Sequence, residues 1–304
     1  MILTYRGKIR PRAEDIFEKV SPSYITQEST VFSYRKIIEE RDISLFARNL
    51  RMEELQNLQR VKDFFFQKLT EIGYDGVIGA AEFKRVYDEL MPIQKSKLKE
   101  ICREQFQNLM KHGSIICIGI AYPEYAINRI NLRMENGALD KDSWNIYAKE
   151  YHRINKFLNA IAKEIADLFG GIPIPATVEG IDAKNVKDYY GLTISHRVVA
   201  ENAGLGWRGK NELIVNERFS CALRFASIAT NLPLIHGEKV KDSCGQCEAC
   251  LEACSILKNK GKLEDYRENC RRHIVHLRLE AEVCGKCIKA CYYHSIFSGN
   301  FKLK

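Results

Sequence analysis

Eight cysteines between positions 244 and 291 are the residues whose type and spacing most directly imply chemistry. The first four read Cys244-Gly-Gln-Cys247-Glu-Ala-Cys250-Leu-Glu-Ala-Cys254, a C-x2-C-x2-C-x3-C run. The second set is Cys270, followed by Cys284-Gly-Lys-Cys287-Ile-Lys-Ala-Cys291. Three thiolates at successive spacings of three can wrap one corner set of an iron–sulfur cubane. The fourth is already turning into a helix, points away, and ligates the other cluster. The spacing therefore predicts two [4Fe–4S] clusters, one held by Cys244, Cys247, Cys250 and Cys291 and the other by Cys254, Cys270, Cys284 and Cys287. Zinc is the plain alternative, but structural zinc sites use two pairs separated by a longer loop. Ser255 and Tyr292 stand where proline usually follows such runs, a departure that removes no ligand. Cys102, Cys117 and Cys221 read as buried apolar residues.

The rest of the composition suits a metal-binding intracellular protein. Eleven cysteines without an apolar leader argue for reduced thiols rather than disulfides. No stretch approaches the roughly 20 apolar residues of a spanning helix, so a cytoplasmic protein without membrane contact is expected. The formal net charge is +8. Two clusters, each a roughly +2 core on four thiolates, would bring about −4 and leave a modest excess. With acidic and basic residues mixed along the chain, this charge permits an RNA partner without requiring one.

The elements that must position the cysteines read as follows. A short helix is expected over residues 13–20, between Pro11 and Pro22. From 44 to 69 the apolar spacing turns helical through Leu50, Leu55, Leu58, Val61, Phe65 and Leu69, closed by Gly73. The continuous apolar run 114–121 reads as a buried strand. A long helix follows, capped by Asp142 or Ser143, with the stripe Ile146, Tyr151, Ile154, Phe157, Leu158, Ile161, Ile165 and Leu168, and Gly170-Gly171 ends it. A helix over 195–202 and strands at 212–215 and 223–230 complete the pattern. The fold class is α+β, with an α/β-type, cobalamin-binding-like reductase domain and then a small ferredoxin-like double [4Fe–4S] domain. The expected divisions are an N-terminal extension (1–45), the reductase-like domain (46–236) and the cluster domain (237–304).

Gly204-Leu-Gly206-Trp-Arg-Gly209 satisfies the dinucleotide fingerprint G-x-G-x-x-G, but here a helix precedes it and a strand follows, the reverse of the order that presents a helix N-terminus to a pyrophosphate. The glycines read instead as a tight connection where backbone can approach a ligand closely. The segment Ala203-Gly-Leu-Gly-Trp-Arg-Gly-Lys-Asn211, then Thr230-Asn-Leu-Pro-Leu234 and the eight cysteines in order, resembles the epoxyqueuosine reductases. The resemblance covers roughly residues 55 to 295. It implies reduction of an epoxide in a modified tRNA nucleoside, with cobalamin held between a reductase domain and the cluster module, and a low-potential donor such as a ferredoxin or flavodoxin. Gly204, Gly206, Lys210, Asn211 and His196 become candidate cofactor-binding residues. Counting back from the glycines, the family's catalytic aspartate falls on Tyr190, with Asp188 two positions away. A tyrosine can donate a proton, and Lys187 or Arg197 nearby would favour phenolate. The departure suggests a divergent branch with shared architecture and a different substrate, a small molecule or modified nucleoside.

Three readings compete: an iron–sulfur, corrinoid-assisted reductase; an electron-transfer protein without its own substrate chemistry; and a tRNA epoxyqueuosine reductase. Nearly 200 residues ahead of the clusters exceed what an electron carrier needs, which favours the first, and the missing aspartate counts against the third.

Overall fold

The computed structural model describes residues 30–177, 185–241 and 244–294. The chain divides into residues 1–50 and 51–304, and apart from the range of its first helix everything below concerns the second unit. The helix expected over 13–20 lies outside the described residues.

In chain order the elements are α1 (Thr30–Ile72), β1 (Gly76–Glu82), α2 (Phe83–Glu89), α3 (Pro92–Cys102), α4 (Phe106–His112), β2 (Ser114–Ala121), α5 (Glu124–Asn128) and α6 (Lys141–Phe169). There follow β3 (Ile172–Ile174), α7 (Val186–Tyr190), α8 (His196–Asn202), β4 (Trp207–Arg208), β5 (Ile214–Val215) and β6 (Leu223–Thr230). The cysteine region carries α9 (Ala249–Glu252), α10 (Ser255–Lys258), α11 (Tyr266–Leu277) and α12 (Lys286–His294).

Four strands form one sheet in the order β1-β2-β6-β3, with every pairing antiparallel. The fold is thus α+β in the strict sense. Apolar residues on both faces make β2 central, because successive side chains of a strand point to opposite sides. Ile116, Ile118 and Ile120 enter one core with Leu58, Val61, Phe65 and Leu69 of α1 and the inner face of α6. Ile115, Cys117 and Ala121 enter the other, with α2, α3, α4 and α8. The strand β1 escapes a sequence reading because Gly-Val-Ile-Gly-Ala-Ala-Glu is poor in β-branched residues.

Helix α6 corrects two expectations. Its cap is Asp140, whose carboxylate accepts from the Ser143 amide at 2.9 Å, two or three residues earlier than expected. Its buried face is turned toward Trp144, Tyr147, Ala148 and Tyr151, while Ile146 and Leu168 are exposed. That face also buries Glu150, which accepts the hydroxyls of Tyr74 and Tyr125. Among the described residues no helix is long and apolar enough to cross a membrane.

Candidate functional site

The eight cysteines separate into two groups of four. Cys244, Cys247, Cys250 and Cys291 line one small cavity together with Lys210, Asn211 and Val215. Cys254, Cys270, Cys284 and Cys287 line a second, larger one of about 280 Å³. In each group three thiols come from one run and the fourth from the other. Among the described residues no three or more His, Cys, Asp or Glu side chains are gathered as for a single metal ion. Four sulfur donors spaced around a cavity are instead the donor set of an iron–sulfur cluster, so the residues present fit that group.

Several contacts hold this region on the α+β core. The indole of Trp144 on α6 donates to the Cys284 carbonyl at 2.9 Å. Lys289 donates to the carbonyls of Asn128 and Ile130, both at 2.9 Å. Cys291 packs with Trp207, Val215 and Cys221. Its sulfur receives the Ser220 hydroxyl at 2.8 Å. The thiol of Cys221, then that hydroxyl, hold Cys291 below the usual thiol range, against the opposing effect of burial. Burial pushes Cys250 up to about 11 and Cys270 up to about 12. These thiols keep their protons until a metal displaces them, so loading releases acid.

The glycine motif sits between core and cysteines for a reason the sequence reading missed. The close approach it permits is to the chain's own backbone. A Cβ on Gly206, at φ +152°, would stand 2.2 Å from the Val215 oxygen, and one on Gly204, at φ +72°, 2.7 Å from the Glu238 oxygen. Neither glycine lines the cavities described here. The motif instead carries Lys210 and Asn211 to the first cysteine group. Asn211 donates to the Cys221 sulfur at 3.2 Å and accepts from the Leu213 amide at 3.1 Å. Lys210 lies 3.8 Å from Glu248.

A further cavity of about 220 Å³ opens beside the sheet. It shares Tyr189, Tyr190, Arg197 and Leu213 with the larger cysteine-lined cavity, so the two adjoin. Tyr190 is the last residue of α7, a helix capped by Asn185, whose side chain accepts from the amides of Lys187 at 2.9 Å and Asp188 at 3.0 Å. The Val186 amide donates to Glu268 of α11 at 2.9 Å, and Arg267 donates to the Tyr190 hydroxyl at 3.3 Å. These ties place Tyr190 at the junction of both cavities. Asp188 is exposed, bonded to Asn185 at 3.0 Å, and lines neither.

His196 is buried in the wall of the inner cavity with both ring nitrogens engaged. Nδ1 lies 2.8 Å from the Ser227 hydroxyl and Nε2 lies 2.7 Å from the Pro175 carbonyl. Only a protonated Nε2 can bond a carbonyl, so in the neutral ring Nδ1 accepts from Ser227. Burial lowers its pKa to about 4, overcoming the hydrogen bond to Pro175, which acts the other way. Cys102 and Cys117 are core residues. Cys221 is buried too, but the structure also gives it a second position the sequence did not disclose, against Cys291 and in the wall of the inner cavity.

No family model matches the chain. Among curated proteins it is similar to the epoxyqueuosine reductase of Listeria monocytogenes, 27% identical over 199 residues, covering 60% of this chain and 48% of that protein. The Bacillus subtilis epoxyqueuosine reductase is 31% identical over 163 residues, covering 52% of this chain and 39% of its relative. The chain thus spans half or less of the length of these two relatives. The solved epoxyqueuosine reductase of Streptococcus thermophilus aligns with a TM-score of 0.38 at 20% identity, over 68% of this chain and 54% of that one. Over the part of its length that these sequence relatives match, the chain is similar to epoxyqueuosine reductases.

Proposed function

We propose that the chain is an iron–sulfur reductase, with a 46–236 catalytic part and a ferredoxin-type 237–304 part carrying two [4Fe–4S] clusters. The observation that carries this reading is the division of eight thiols into two groups of four, each completed by a cysteine from the other run. A low-potential donor such as a ferredoxin or flavodoxin would feed the pair. The larger cavity has four of the thiols and Arg267, Arg271 and Lys286 in its wall, cations that favour a negatively charged cluster.

A corrinoid fits beside that wall in one respect: the cavity adjoins both the cysteines and the residue that replaces the family's aspartate. Tyr189, Tyr190, Arg197 and Leu213, common to both cavities, are the residues that would face it. When bound, a corrinoid supplies a strongly reducing cobalt centre, while the protein positions the reactants and excludes water. Tyr190 would then present a proton to the substrate through its hydroxyl, oriented by Arg267. The relatives' name makes a modified tRNA nucleoside one candidate substrate. A small molecule is the other, favoured by tyrosine at the aspartate's position.

The test is metal and optical analysis of anaerobically reconstituted protein offered cobalamin. Roughly eight iron atoms per chain are expected, with cobalt bound in equal amount to protein and a corrinoid spectrum that changes on binding. Cys291→Ser should damage one cluster's signal and spare the other. Iron without retained cobalamin would favour an electron-transfer protein. In substrate screening, full turnover by Tyr190→Phe would remove the proton-donor role.

A further inference from the structure

The inner cavity holds two arginines without a carboxylate partner among the described residues. Its wall includes Arg197 and Arg224, and no Asp or Glu is among its described lining residues. Arg224 rises from β6, donates to the Asn155 side chain at 3.2 Å and the Thr177 carbonyl at 3.4 Å, and lies 4.4 Å over the Tyr151 ring. Arg197 donates to the Glu212 carbonyl at 2.7 Å. Neither guanidinium has an ion pair among the described residues, whereas Glu212 itself is engaged by Lys260 and Arg267. Burial and the neighbouring cations Arg267 and Arg208 make the charge on Arg197 costlier to hold. Burial opposes the charge on Arg224 as well, but Tyr151, Tyr122, Tyr189 and Tyr147 around it outweigh that effect, so Arg197 is the cation that an incoming anion would most relieve.

Two more groups in the same wall have no partner among the described residues: the buried Thr193 hydroxyl and the buried Gln94 carboxamide oxygen. A hydroxyl can turn its proton to an incoming oxygen, whereas the Gln94 oxygen is an acceptor and would have to exchange places with its NH2 group to meet an anion. Leu213, Leu223 and Phe225 supply apolar wall. Guanidinium groups are suited to the flat oxygen array of a carboxylate or phosphate.

We propose that this inner cavity binds an organic oxyanion, a carboxylate or phosphate monoester on a small apolar body, through Arg197, Arg224 and Thr193. The assignment rests on the reductase reading to the extent that it names the substrate class for the same site. Binding itself needs no electron transfer, so the two stand or fall by different measurements.

The experiment is anaerobic titration calorimetry on the cluster-loaded protein with benzoate, phenyl phosphate and neutral benzamide as probes. One of the anions should bind with saturable heat while benzamide does not, and added salt should weaken it. The preferred anion identifies the head group. Arg224→Gln and Arg197→Gln should each weaken that binding by about tenfold or more, and Thr193→Val by less. Thr193→Val and Arg197→Lys keep the test open if Arg224→Gln does not fold. Equal binding of benzamide and benzoate, or no anion binding at millimolar probe by protein with its full iron complement, would overturn the proposal.

Discussion

His196 should make the protein acid-sensitive in a window set by one imidazole. Its pKa falls from 6.5 to about 4 on folding because the ring is buried. A group whose folded pKa is depressed takes up its proton more readily in the unfolded chain, so it stabilises the fold above pH 6.5 and loses that contribution as the pH falls toward 4. Integrating the difference in bound protons gives almost no loss at about pH 7.5 and a loss of about 2 kcal/mol at about pH 5. His196→Gln can still donate to the Pro175 carbonyl yet does not titrate. With m near 2–3 kcal/mol per molar urea, the wild-type midpoint should fall by about 0.8 M more than the variant's between those pH values. The readout is the wild-type minus variant difference in anaerobic, cluster-loaded protein, so acid loss of clusters common to both cancels. Ring NMR of labelled histidine should show a neutral, Nε2-protonated imidazole throughout. Parallel midpoint shifts, or a ring titrating near its ordinary value, would refute the reasoning.

Ser220→Ala removes the hydroxyl that bonds the Cys291 sulfur at 2.8 Å. Hydrogen bonds to cluster sulfurs favour the more negative, reduced state, so redox titration followed by EPR should find one potential lowered by up to about 60 mV and the other unmoved. Gly206→Ala must accommodate a Cβ 2.2 Å from the Val215 oxygen at φ +152°. A loss of about 3 kcal/mol is expected, checked by urea unfolding, and an unchanged midpoint would mean the turn relaxes freely. Trp144→Phe removes the donor to the Cys284 carbonyl, whose separation is 2.9 Å. Reconstitution should then yield a more labile second cluster, read as faster loss of its absorbance under a chelator.

What the sequence could disclose followed from how local each signal is. The strand Ser114–Ala121 and the strand Leu223–Thr230 are mostly apolar runs, and both occur at those limits. Tandem cysteine spacing is likewise local, which is why a grouping of thiols can be proposed from the sequence. The cap of α6 lies two or three residues earlier than expected because Asp140, Asp142 and Ser143 are all residue types that cap helices, and it is Asp140 whose carboxylate meets the Ser143 amide. His196 could be flagged from its place near the glycines, but its partners Ser227 and Pro175 are 31 and 21 positions away. Arg224 was invisible for the same reason: within β6 it is one charged residue in an apolar strand, and only the sheet shows which cavity it faces.

The exchange of one cysteine between the two groups also constrains the order of events when the protein is built. Cys291 cannot reach the company of Cys244 until the intervening forty-odd residues have folded back, and that return path carries Cys270, Cys284 and Cys287 with it. With the clusters placed as proposed, filling the first site closes a loop around the second and lowers the entropic cost of completing it. Loading is then cooperative. In the intact chain half-filled molecules should be fewer than two independent sites would give, while Cys291→Ser still fills, at a higher entropic cost, the site whose four cysteines it keeps.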